Sequence, residues 1–248
     1  MLVNFQWTES NEAELLINGS QYFNSVFDCI RSAREEVLIE TFIIFNDEVG
    51  QELKEALLNA AARQVRIDVT VDGYGTADLD NDYITELTDA GIHLHVYDPN
   101  PRLFGMRTNL FRRLHRKIVV VDGEVAFIGG INFGADHLPD KYAMGKQDYG
   151  LRVQGPIVKD IRDAAGALLV EHQAVQELPQ IRALPPPTGS AAIRLAIRDN
   201  SLHRNDIEEH YLQAFRSAQS HLVIANAYFF PVSFMNCETR RDGALTSR

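Results

Sequence analysis

The sequence predicts an α/β fold, a sheet with helices on both faces. Apolar strand-like runs alternate with helix-period segments over most of the first 175 residues or so. A 248-residue chain with 45 % hydrophobic and 23 % charged residues has the composition of a globular protein with a full core. Nowhere does an apolar run approach the roughly 20 residues needed to cross a bilayer.

The elements follow in order. Ser20 is expected to cap a helix over QYFNSVFDCIRSAR, with Tyr22, Val26, Cys29 and Ile30 on one face. The run Val37 to Phe45 reads as a buried strand. A helix over EVGQELKEALLNAAARQ and a strand over VRIDVTVD come next. The helix NDYITELTDA stops at Gly91, a residue suited to the left-handed position after a helix. The strand IHLHVYD ends before Pro99. KIVVVD and VAFIGG form a hairpin around Asp122-Gly123. DYGLRVQG is a further strand, and PIVKDIRDAAGALLVEHQ a helix with Pro156 in its first turn.

Three consecutive prolines within 178–190 mark a linker. Beyond it the chain repeats itself: Ile30 to Phe45 matches Phe215 to Phe230 at a constant offset of 185, with Arg-Ser-Ala in register. Two similar halves across a pseudo-twofold axis are therefore expected: a first half over 1–177, the linker, a partial second half over 191–231 and a divergent tail over 232–248.

Charge and cysteines narrow the function. A net charge of -10 excludes coating nucleic acid by bulk charge, so an anion site must be a local basic patch and no nucleic-acid partner is expected. Cys29 and Cys237 lie too far apart in sequence to suggest a disulfide framework, and Cys29 reads as core. With no signal-peptide pattern at the start, the expected location is the cytoplasm, with membrane contact peripheral.

The chemically informative segment is LHRKIVVVDGEVAFIGGINF. His115 and Lys117, two apart on an extended segment, project to one face. Asp122 closes the strand, Gly129 and Gly130 allow close backbone approach, and Asn132 adds an amide donor. An imidazole nucleophile, a fixed positive charge and amide donors suit phosphoryl transfer with neither metal nor cofactor.

The spacing His-x-Lys-(four)-Asp-(six)-Gly-Gly-x-Asn resembles the signature of the phospholipase D superfamily. DGYGTADL, YDPNPRLFGMRTNLFRRLHRKIVVVDG, GGINFGADHL, KQDYGLRVQGPIV and IANAYFFP extend the resemblance toward its bacterial cardiolipin synthases over residues 5–231. The resemblance implies a phospholipase D-type sheet, with His115 as catalytic histidine, Lys117 and Asn132 on the phosphate and Asp122 as the motif aspartate. It further implies transfer between two phosphatidylglycerols through a phosphohistidine, giving cardiolipin and glycerol. The alternatives are a dimeric phosphodiesterase cleaving lipid or nucleic acid, and a non-catalytic membrane module.

Other residues qualify this picture. Asp148 is expected to orient the second ring nitrogen of His115. Glu40, inside an apolar strand, either lines the site or pairs with a buried arginine. Arg102, Phe104, Arg107, Phe111, Arg112 and Arg113 belong to a basic and apolar stretch without acids, suited to anionic headgroups. His93 and His95 share a strand face at metal-like spacing but read as structural, and Trp7 shows no partner. Among eight histidines only His115 has a lysine two positions on. The offset would put a partner histidine near position 300, so a truncated or frame-shifted chain is expected, completed by a homodimer or by the missing half.

Overall fold

The computed structural model describes residues 6–73, 75–76, 79–97, 114–171, 186–198 and 203–224. Its elements are β1 (Thr8–Ile17), α1 (Asn18–Ser32), β2 (Glu36–Thr41), α2 (Glu48–Ala62), β3 (Arg66–Asp72), α3 (Asn81–Asp89) and β4 (His93–Tyr97). There follow β5 (Ile118–Val121), β6 (Val125–Gly129), a 3-10 turn (Ala135–His137), β7 (Tyr149–Gln154), α4 (Ile157–Glu171), β8 (Ala191–Ile193) and α5 (Asp206–Ser217). The strands form one mixed sheet in the order β4-β3-β2-β5-β6-β7-β1-β8. β2, β3 and β4 run parallel, and the remaining neighbours pair antiparallel. The α/β architecture expected from the alternation is the one observed.

Strand register sorts the side chains into two faces. Val37 and Ile39, Ile67, Val69 and Val71, Val119 and Val121, and Phe127 join α1 and α2 in the main core. Phe23, Phe27 and Phe133 stack within it, ring centroids 5.8 to 6.3 Å apart, and Tyr22 meets Phe127 edge-on. The opposite face of β2 carries Glu36, Leu38 and Glu40, and there α4 packs across β2, β5, β6 and β7. Gly91 has φ +82°, and both Asp122 and Gly123 have positive φ, as the helix stop and hairpin require.

Several boundaries differ from expectation. Ser20 lies inside α1 and donates instead to Asp140, since the helix begins at Asn18 without a side-chain cap. β2 ends at Thr41, not Phe45, because the backbone of Ile43 and Phe45 turns away to bond Phe133. β1 was not foreseen: only Asn11 and Leu16 along it are buried, so no period-2 apolar signal exists. It is held by β7 and β8 and by Asn11, whose amide donates to Thr8 and Ala191 and whose carbonyl accepts from Ile157. Trp7 does have a partner, the Arg194 guanidinium 5.8 Å from its ring centroid.

The larger compact unit runs Phe5–Leu195, so β8 belongs to it although it follows the proline-rich linker. α5, in the second unit, carries the repeated Arg216-Ser217 pair. The strand expected near residue 225 lies outside the described residues, as does Cys237.

Candidate active site

His115 and Lys117 lie on the extended segment leading into β5, at the end of the strand remote from the hairpin. The segment is anchored where the Leu114 N–H donates to the buried Asp72 carboxylate, 2.8 Å away at the end of β3. His115 is exposed, while Lys117 is only 4 % exposed. The Lys117 Nζ donates to the His115 carbonyl at 2.8 Å and lies 3.4 Å from His115 Nδ1. Phe42, just past β2, sits 5.0 Å from the His115 ring and 5.5 Å from the Lys117 ammonium. Burial pushes the Lys117 pKa down to about 8, against the opposing pull of the Asp148 and Glu40 carboxylates.

The glycine turn closes the same end of the sheet. Gly129 N donates to the Lys117 carbonyl and Gly130 N to the Tyr149 carbonyl. A Cβ on Gly130 would run into the Asp148 carboxylate, and one on Gly129 would meet the Tyr149 carbonyl at 2.5 Å. The backbone of Asp148 is held on both sides by Asn18: Asn18 N donates to its carbonyl at 2.8 Å, and its N donates to Asn18 Oδ1 at 3.2 Å. Asn18 adopts φ 60° to do this. Asn132 follows the turn, its backbone N–H donating to His137 Nε2 at 3.3 Å.

Two residues sit apart from this cluster. Asp122 is at the far end of β5, where its carboxylate accepts backbone N–H bonds from Arg34, Glu35 and Glu36 at 2.8 to 3.1 Å. It fastens the hairpin to the start of β2. This is the strand-closing position expected of it, and a β5 of four residues separates it from His115 by roughly 13 Å or more. Glu40, 2 % exposed, makes a two-pronged ion pair with Arg116 at 2.7 and 3.0 Å. Of the two readings left open for it, the arginine partner is the one observed. Strand alternation puts that pair on the sheet face opposite Lys117. Burial raises the Glu40 pKa and Arg116 opposes the rise.

The arrangement thus offers an exposed imidazole beside a buried ammonium, with a carboxylate and an amide at a tight glycine turn. A family model described as "Cardiolipin synthase, PLD-like domain" matches residues 26–154, just over half of the chain. The chain belongs to that family. Cardiolipin synthase B of Escherichia coli (strain K12) is 47 % identical over 235 residues, covering 91 % of this chain and 55 % of that protein. Cardiolipin synthase A of Pseudomonas fluorescens is 31 % identical over 230 residues, covering 90 % and 46 %. The chain spans about half the length of these relatives. Among solved structures, NucT from Helicobacter pylori superposes with a TM-score of 0.50 at 15 % identity, covering 64 % of this chain and 96 % of that one. A phosphatidylserine synthase of Haemophilus influenzae Rd KW20 gives a TM-score of 0.53 at 13 % identity, covering 86 % and 45 %. At these identities the structures establish a shared fold alone.

In this PLD-like chain some supporting residues escaped the sequence reading. Asn18 and Gly19 form an Asn-Gly pair, a turn signal that could have drawn notice. A Cβ on Gly19 would meet the His137 carbonyl at 2.5 Å, so the start of α1 packs directly beneath the 3-10 turn. Asp47 caps α2 through Val49 and Gly50 and also accepts from Ala135 N at 2.6 Å, fixing that turn from the other side. Glu36 pairs with Arg162 of α4 within the second face of the sheet, where both are buried. His93 and His95 flank Asp68, 3.4 and 2.9 Å from its Oδ1, and Arg66 holds its Oδ2 at 2.8 Å. Among the described residues no group of three or more His, Cys, Asp or Glu is arranged to hold a metal, and no helix is long and apolar enough to cross a membrane. The basic stretch with Arg102, Phe104, Arg107, Phe111, Arg112 and Arg113 lies outside the described residues.

Proposed function

We propose that the chain contributes one half of a phosphatidyl-transfer site of cardiolipin synthase type. The observation that carries the reading is the pairing of exposed His115 with buried Lys117, whose Nζ lies 3.4 Å from the imidazole. In this reading the His115 ring nitrogen remote from Lys117 attacks the phosphorus of phosphatidylglycerol. A P–N bond forms and the P–O bond to the terminal glycerol breaks. A histidine of a second half protonates the departing glycerol, then takes the proton from the hydroxyl of a second phosphatidylglycerol. That oxygen attacks phosphorus, the P–N bond breaks, and cardiolipin is released.

Lys117 balances charge on the non-bridging oxygens, and its burial strengthens that interaction relative to water. Asn132 supplies a neutral side-chain donor, and the Gly129-Gly130 turn, whose N–H groups are bonded to Lys117 and Tyr149, allows the close backbone approach that places it. Asp148 supplies the negative charge that favours the cationic imidazole. Asp122 acts at a distance, by fixing the strand. The basic and apolar stretch over 102–113 presses on the anionic lipid surface.

The test supplies phosphatidylglycerol vesicles to the chain together with a second His-x-Lys-bearing half, and follows the lipids by mass spectrometry. Cardiolipin formation with a labelled phosphohistidine at His115 supports the reading. Phosphatidic acid as sole product would favour the phosphodiesterase alternative. Turnover that survives His115→Ala would overturn the assignment.

A further inference from the structure

We propose that His137 is a positioning residue that holds Asn132 and Asp148 in place around Lys117. This rests on the phosphate-site reading above and adds a residue to it. His137 is 3 % exposed, at the end of the 3-10 turn. Its Nε2 accepts the Asn132 backbone N–H at 3.3 Å, so the ring proton belongs on Nδ1. Nδ1 is buried, without a hydrogen-bond partner, and lies 3.8 Å from Asp148 Oδ2. That distance is beyond a hydrogen bond, and the contact is one of dipole and charge. One ring therefore faces both Asn132, just past the glycine turn, and Asp148, whose carboxylate acts on Lys117.

Three further features fit a ring held in one orientation. Gly19 leaves room for the His137 carbonyl against α1, and Asp47 pins Ala135 two residues before it. The charged groups around the ring are Asp136, Asp148, Lys146 and Lys117; burial, aided by the two lysines, outweighs the two carboxylates and holds its pKa below the usual imidazole value. A neutral ring keeps Nε2 available as acceptor at neutral pH. Asn132 is thereby fixed through its backbone, which sets the point from which its side chain reaches a phosphate. Nothing in this role requires His137 to touch the substrate.

The test uses the whole chain and inorganic phosphate as probe. Long-range 1H–15N spectra of the unmodified chain come first, and a His137 ring protonated on Nδ1 and bare on Nε2 is expected. A ring protonated on Nε2 overturns the proposal, whatever the variants do. Phosphate affinity is then measured for His137→Leu, His137→Gln and Lys117→Met. His137→Leu is expected to weaken phosphate binding roughly tenfold, the scale of one lost buried hydrogen bond. His137→Gln, whose side-chain oxygen can still accept from the Asn132 N–H, is expected to recover most of that loss. A folded His137→Leu that binds like the parent, beside a Lys117→Met that does not, sinks the positioning role alone. If Lys117→Met also binds like the parent, the phosphate-site reading itself fails. Should His137→Leu not fold, the tautomer and the His137→Gln affinity decide the matter.

Discussion

Replacing Lys117 by methionine separates the function of this lysine from its cost to the fold. The side chain is 4 % exposed and its pKa is pushed from 10.5 down to about 8 by burial. That gap corresponds to about 3 kcal/mol. The sign follows from proton counting. Between pH 8 and 10.5 the unfolded lysine keeps its proton while the folded one has lost it. The unfolded state then binds more protons, so this group's contribution to stability rises with pH across that window and falls away toward pH 8. Below pH 8 both states are protonated and the native state carries the whole burden of a buried charge. Methionine keeps the length of the side chain and removes the charge, together with the hydrogen bond to the His115 carbonyl, worth about 1 kcal/mol. Urea unfolding of parent and variant at a series of pH values reads the difference directly, and titrations elsewhere cancel. Relative to the variant, the parent should gain about 3 kcal/mol from pH 7.5 to 10.5. At pH 7 the variant should be the more stable protein by roughly 1 to 2 kcal/mol, the charge relieved less the bond lost. A parent–variant difference that stays flat over this range refutes the desolvation argument.

Asp122→Ala removes an acceptor shared by Arg34, Glu35 and Glu36 N–H groups and places alanine at φ 54°. A loss of about 2 kcal/mol in denaturant unfolding is expected, with smaller loss for Asp122→Asn, which tolerates that φ. Glu40→Ala strips Arg116 of both hydrogen bonds to its carboxylate partner and should cost about 2 kcal/mol by the same measurement. Gly130→Ala forces the Asp148 carboxylate aside. Phosphate affinity should fall several-fold, and calorimetry that finds it unchanged would separate Asp148 from the site.

Much of the fold was legible because its signals are local. The apolar runs of β2, β3 and β5 and the helix period of α1, α2 and α4 record burial one residue at a time. Gly91 and Asp122-Gly123 mark turns through the backbone angles they permit. β1 was illegible, since a strand with two buried residues is defined by its neighbours' hydrogen bonds rather than by its own side chains. The truncation of β2 at Thr41 was hidden for the same reason: Phe133, distant in sequence, takes the backbone bonds of Ile43 and Phe45.

The sequence alone determined that an imidazole and an ammonium stand side by side, because two residues of spacing on an extended segment put them on one side wherever that segment lies. It could not determine which other groups meet them. Asp122 and Asp148 are both carboxylates near the motif, yet only Asp148 reaches the Lys117 end of the sheet. Strand direction and pairing decided that, by carrying Asp122 to the hairpin and returning β7 beside Gly129 and Gly130. The Glu40 partner was decided in the same way, since pleating sends alternate side chains to opposite faces and Arg116 shares the face of Ile118, the residue opposite Glu40. Proximity between residues far apart in the chain is a property of packing, and only the folded sheet supplies it.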